Sequence, residues 1–268
     1  MGRYTLNPTM PVLLRPDGVV QVGWDPRRAV LVRPPGGLSP AGLAELLRTL
    51  QSGATLAELQ AHFEIDPGEL VASLVDAGVV TAGHRRVHRT SVRIHGRGPL
   101  SDLLAGALRC SGARVTRSNI THSAPPDTTD LVVLSDFLVT DPRVVRELHT
   151  ARVAHLPVRL RDGAGLVGPL VIPGVTSCLE CADLHRSDRD AAWPAVASQL
   201  RNAVGSADRA TVLATAALAL NQVDRVIRAV RDGDSAEPPP TLDTTLEFDV
   251  NAGAIVARRW SRHPRCWC

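Results

Sequence analysis

Lysine is missing from this sequence: all 30 of its basic residues are arginines. No site in it can steer phosphate with a compact ammonium charge, because arginine offers a planar fork instead. Aromatic residues make up only 3%, so the core has to be assembled from Val, Leu, Ala and Ile. No apolar run is long enough to cross a bilayer, the longest aliphatic stretch being residues 211–220. The opening MGRYTLNPTMPVLLRPDG lacks the apolar segment of a secretory signal. These absences predict a cytoplasmic protein with no membrane partner, in which thiols stay reduced. The net charge is only +3, with acids interspersed among the arginines, so no nucleic-acid partner is expected either. The one basic cluster, His84-Arg85-Arg86-Val87-His88-Arg89, reads as a solvated linker.

What is present is cysteine in pairs. Cys178-Leu-Glu-Cys181 and Cys266-Trp-Cys268 stand 84 residues apart, and together they supply four soft ligands from two distant segments. A closed tetrahedral Zn²⁺ site needs that set, whereas a catalytic zinc keeps one position open. A redox CxxC or a pair of disulfides is the alternative, but a thioredoxin-like motif gives no role to a second pair. The preferred reading is a structural zinc clasp that ties the C-terminal segment to the body, contributing folding free energy on the order of 10 kcal/mol. Cys110, alone in an apolar helical stretch, reads as a small buried hydrophobe.

The chain divides into two regimes. In residues 1–82, short strands are expected at 12–15, 19–22 and 29–33, separated by Pro16-Asp17-Gly18 and Trp24-Asp25-Pro26. Three helices follow: one capped by Ser39 with Leu43, Leu46, Leu47 and Leu50 on one face, one opened by Thr55 with Glu58 in the capping-box position, and one opened by Asp66-Pro67 over residues 67–77. Three strands and three short helices predict a winged-helix-like domain. Its third helix carries Glu69 and Asp76 and no arginine, which fits a peptide or protein partner better than DNA phosphates.

A basic linker is expected at 83–91, and residues 92–268 follow a strand–helix–strand rhythm. A strand runs into Gly96-Arg97-Gly98, then a helix over 100–111 and a return strand from Gly112, as in a βαβ unit. Ser101 replaces the third glycine of a dinucleotide loop, and Pro99 removes a backbone donor. Residues 130–136 form a buried strand ending in Asp136, 142–152 a helix and 156–160 a strand, which together predict an open α/β sheet. A long helix over 207–231 carries Val212, Leu213, Ala216, Leu220, Val223 and Ile227 on one side, and a hairpin over 244–260 delivers the last cysteines. His185, Arg186, Asp188, Asp190 and Trp193 line a partner surface or form a loop organised by its own hydrogen bonds.

The glycine loop, the acid at Asp136 and the two cysteine pairs resemble the ThiF-like, ubiquitin-activating-enzyme superfamily. The run from Gly168 through Cys178-Leu-Glu-Cys181-Ala-Asp-Leu-His185-Arg186 to Trp193-Pro194 and Gln199-Leu200, with His263-Pro264-Arg265-Cys266, resembles its branch in azol(in)e-containing peptide (TOMM, bacteriocin) biosynthesis. The resemblance implies an N-terminal PqqD-like RiPP recognition element fused to a ThiF-like Rossmann-type α/β domain with a structural zinc. It implies a leader-peptide-binding partner of a YcaO-type cyclodehydratase, an enzyme that uses ATP to turn Cys, Ser or Thr of a precursor into azolines. The leader would add as a strand beside Ala29, Val30, Leu31 and Val32, with Leu70 and Leu74 on the facing helix.

Adenylating ThiF-like enzymes use a glycine loop, a phosphate-binding arginine and lysine, and a Mg²⁺-binding acid. This chain supplies Asp136 but no lysine, and its loop is degraded, so Gly96, Gly98 and Asp136 read as a vestigial nucleotide site. The expected role is a non-catalytic scaffold that presents a precursor peptide. Its expected partners are that peptide, a YcaO-type enzyme and a second copy of the chain. A carboxylate-adenylating enzyme and an orphan zinc scaffold with an unrelated cytoplasmic partner are the alternatives.

Overall fold

In the computed structural model, which describes residues 2–83, 90–119, 129–232 and 237–268, the backbone divides into two compact units, residues 1–87 and 88–268. The basic cluster expected to be a linker, 84–89, lies outside the described residues.

The first unit is built on capped helices. Strands β1 (Arg3–Leu6), β2 (Val12–Leu14), β3 (Val20–Val22) and β4 (Val30–Val32) lead to helix α1 (Pro40–Gln51), followed by β5 (Ala54–Thr55), α2 (Leu56–Phe63), α3 (Gly68–Asp76) and β6 (Val80–Gly83). Ser39 Oγ accepts the Gly42 N–H at the start of α1. At α2, Thr55 and Glu58 complete a reciprocal capping box, satisfying two donors that a helix start leaves free. Leu43, Leu46, Leu47 and Leu50 of α1 are fully buried against Leu6, Val20 and Val22.

Among the described residues of this unit six strands form rather than the three expected. β1, β5 and β6 make their own sheet, in which Arg3 pairs with Thr55 and Gly83. Strands of two to four residues with partners 50 to 80 positions away carry too little local pattern to read. The other sheet runs β2-β3-β4, leaving β4 at an edge.

The second unit is a mixed α/β layer. It runs β7 (Ser91–His95), α4 (Pro99–Leu108), β8 (Arg114–Ser118), β9 (Leu131–Ser135), α5 (Pro142–Thr150), β10 (Ala154–Arg161), β11 (Ala164–Val167), α6 (Leu179–Arg189), α7 (Trp193–Leu200), α8 (Arg209–Asp232), β12 (Thr244–Asp249) and β13 (Ala254–Arg259). The sheet order is β13-β12-β11-β10-β9-β7-β8. β10, β9, β7 and β8 run parallel, and the remaining pairs are antiparallel.

Every residue of β9 is buried, as a strand covered on both faces requires. One face, with Ile94, Val133 and Val158, packs on Leu100 and Leu104 of α4 and on Ala219, Val223 and Ile227 of α8. The other, with Val132 and Leu134, packs on Val144 and Leu148 of α5 and on the first cysteine pair. Because β8 and β9 flank β7 on opposite sides, the chain reverses direction there, making the ends of β7 and β9 the switch point at which such sheets bind ligands.

Two expectations fail in this unit, and a third is narrowed. Cys110 is exposed rather than buried: Leu108 takes the last core position of α4, and Cys110 sits in the 3₁₀ turn Arg109–Ser111. Leu213 points to solvent, 50% exposed, while Val212 and Ala216 face the core. Of the two readings of the polar run from His185 to Trp193, the loop gives way to structure: His185, Arg186 and Asp188 lie on α6 and Trp193 opens α7, with Asp190 in the short connection between them.

Candidate functional site

The structure brings Cys178, Cys181, Cys266 and Cys268 together, with all four sulfurs within 4.8 Å of one another. Cys178 Sγ lies 3.7 Å from Cys181 Sγ and 3.5 Å from Cys266 Sγ, and Cys181 Sγ lies 3.3 Å from Cys268 Sγ. An ion about 2.3 Å from each of four tetrahedral sulfurs sets them about 3.8 Å apart, so the cluster has the dimensions of a four-thiolate metal site.

Local structure prepares it. Cys178 caps α6, its Sγ accepting the Cys181 N–H at 3.4 Å, while Cys181 Sγ accepts the His263 N–H at 3.3 Å. Burial pushes the Cys178 thiol above its ordinary range, and the Cys268 thiol up to about 11. For Cys181 the effect of burial is outweighed by its amide donors, which hold it below the ordinary value. Cys178 and Cys268 therefore resist ionisation, the state a metal needs of its thiol ligands.

Behind the sulfurs stands a support that the cysteine spacing did not reveal. His263 Nδ1 accepts the Arg265 N–H, leaving Nε2 to donate to Asp188 at 2.8 Å, and Arg265 also pairs with Asp188. The hydrogen bond from His263 is the leading cause holding the Asp188 carboxyl low. Asp188 thereby ties α6 to the segment between the second pair of ligands and β13. The signal was present in the sequence as an acid ten residues after Cys178 and a histidine three before Cys266.

At the switch point the expected nucleotide residues meet each other instead of leaving a vacancy. Asp136 is 1% exposed, and its carboxylate accepts the N–H groups of Leu100 at 2.9 Å and Ser101 at 3.0 Å and the Ser101 hydroxyl. It occupies the N-terminus of α4, where a helix with free amides would hold an anion. Gly98 permits this, since a Cβ there would stand 2.6 Å from Asp136 Oδ1. A Cβ on Gly96 would collide with the Ser135 carbonyl. Both glycines serve the close approach of α4 to the end of β9.

In the first unit, Val30, Leu31 and Val32 lie on β4 with Ala29 just before it. The narrow pairs of β2 and β3 fall at Pro11 with Gly23 and at Arg15 with Val19. By alternation Val20 and Val22 turn their backbone groups to Val32 and Val30, and Leu31 turns its N–H and C=O to the open edge. Leu31 is 57% exposed. On α3, Leu74 is buried in the core and Leu70 is half-buried against it, so Leu70 alone of the two retains surface.

No family model matches the chain, and no curated protein sequence aligns with it. Solved structures do. A heterocyclase in complex with substrate and cofactor superposes at a TM-score of 0.67 with 15% identity, over 100% of this chain and 39% of its own. The heterocyclase TruD superposes at 0.66 with 16% identity, over 100% of this chain and 42% of its own. E. coli MccB with ATP superposes at 0.57 with 14% identity, over 99% of both chains. The chain thus spans about two fifths of the heterocyclases and nearly all of MccB. At these identities the likeness is one of fold, and it is the fold to which the resemblance in the residues pointed.

Proposed function

We propose that this chain is a non-adenylating, leader-peptide-binding scaffold that presents a precursor peptide to a YcaO-type cyclodehydratase in azol(in)e peptide biosynthesis. The observation that carries the reading is the whole-chain likeness to a heterocyclase solved with its substrate. Residues 1–82 act as a winged-helix-like, PqqD-like recognition element and residues 92–268 as the ThiF-like body. The leader adds as a strand at β4, where Leu31 offers an unpaired donor and acceptor and main-chain bonds would supply affinity. Zn²⁺ is the ion for the four thiols: thiolates select it, and a closed set of four ligands gives it a structural role with no open coordination position.

The adenylating alternative draws on the likeness to MccB with ATP. Against it stands Asp136, which spends the α4 amides on an internal carboxylate, and the lack of any lysine to hold a phosphate. The test is a pair of assays on the purified full chain. A labelled precursor peptide encoded beside the gene should bind, and ATP–pyrophosphate exchange should stay at background with or without that peptide. Exchange above background would overturn the scaffold reading.

A further inference from the structure

A cleft of about 680 Å³ opens in the second unit between α5, the ends of β10 and β12, and helices α6 and α7. Val145, Leu166, Leu179 and Leu200 give it apolar walls, and six arginines reach into it. Arg186 is sandwiched between the indoles of Trp193 and Trp260, 5.1 and 5.0 Å from their ring centres. Asp183 accepts both Arg186 and the Trp193 N–H, and Trp260 donates to Thr245. Cation and rings are therefore held in place before any ligand arrives, which lowers the ordering cost of binding.

Arg159, at the carboxyl end of β10, is different. It donates to the Leu138 carbonyl at 2.8 Å, and among the described residues no carboxylate comes within ion-pair distance. Burial first, then the like charges of Arg186 and Arg161 against the pull of Asp183, bring its guanidinium down to about 10. Arg161 and Arg258 share one acid, Glu247, at 3.0 and 3.9 Å, and Arg146 and Arg189 at the rim have none among the described residues. A half-buried guanidinium with one carbonyl partner has donors left over for a ligand, and a planar carboxylate matches that fork.

We propose that this cleft binds a peptide segment that brings one carboxylate, flanked by apolar side chains, to Arg159 and Arg186. A nucleotide fits less well. Arg186 already covers one face of each indole, and Asp162, Glu180 and Asp190 in the lining repel the several charges of a polyphosphate. All the residues involved belong to the second unit, so the site does not depend on the leader-strand reading, and loss of leader binding at β4 would leave it standing.

The experiment uses the full chain with its metal content verified and two pools of blocked hexapeptides, apolar at the flanking positions. One pool has Asp or Glu at the centre, the other Asn or Gln. Retention of the acidic pool should exceed that of the amide pool on the order of tenfold, the worth of one charge-assisted hydrogen-bonded pair. Arg159→Gln should bring the ratio within about twofold. Should that variant fold poorly, the exposed pair Arg146→Gln with Arg189→Gln should still lower the ratio about threefold by reducing the cationic field. Equal retention of the two pools, an undiminished ratio in folded Arg159→Gln, or displacement of the acidic pool by equimolar ATP or inorganic phosphate would each overturn the proposal.

Discussion

The same sheet carries two crevices at the carboxyl ends of its parallel strands, and they treat charge in opposite ways. At the ends of β7 and β9 the amides of α4 close on Asp136. At the end of β10 the guanidinium of Arg159 meets, among the described residues, only the Leu138 carbonyl. The first has the better topological claim to a ligand, yet its donors are spent; the second has an ordinary position and donors to spare. Capacity for a ligand thus follows from which polar groups the fold leaves uncommitted, and topology says only where to look.

The strongest way to break this comparison is to remove the metal site. Cys266→Ser should drop zinc below about half an equivalent per chain by elemental analysis and lower stability by several kcal/mol, on the order of what a lost structural ligand costs. Because α6 supplies Arg186, binding at the β10 cleft should be lost with it, whereas the Asp136 contacts, made by α4 and β9, should persist.

Acid is the next largest perturbation. His155 on β10 is fully buried, its Nε2 without a hydrogen-bond partner among the described residues, and burial depresses its pKa from 6.5 to about 4. A depressed basic group is neutral in the folded state, so its stability is fully present above about 6.5 and is lost as the pH falls towards about 4. The loss should reach about 3 kcal/mol, and denaturant midpoints between pH 7 and 4 should fall less steeply in His155→Gln than in the natural chain.

Asp136→Ala sharpens the comparison from the filled side. It leaves two buried amides unsatisfied and should cost about 2 kcal/mol, read by denaturant unfolding, without creating pyrophosphate exchange. Leu31→Pro leaves both crevices alone. It removes the outward N–H of β4 while keeping the ladder to β3, and should weaken leader binding about tenfold or more with zinc content unchanged. Cys110→Ser, at an exposed turn, should move stability by less than about 0.5 kcal/mol.

How much was legible depended on how local the physics is. Ser39, Thr55 and Glu58 announce helix starts because capping acts within four residues, and the two cysteine pairs announce a cluster because ligand spacing is itself short-range. Helix α6 stayed hidden because its polar side chains outnumber the apolar positions a 3.6-residue period would mark. Asp136 could be placed at a strand end from the sequence. That its carboxylate turns inward onto Leu100 and Ser101, 35 and more residues away, is a tertiary fact. The same holds for Arg186, whose two flanking indoles come from Trp193 on α7 and Trp260 beyond β13.

Helix α6 has one more consequence, which concerns angle. Cys181 in its first turn and Arg186 five residues later stand about 7.5 Å apart along the axis, and each residue of slip rotates a side chain by about 100°. A helix held only by apolar contacts could creep by a fraction of that step, but one pinned through Cys181 and capped by Cys178 has no such play. On the proposed reading of the thiol cluster as a metal clasp, the cluster would also set the rotational phase of Arg186 beside its two indoles, serving as an alignment pin for a side chain on the far side of the helix start.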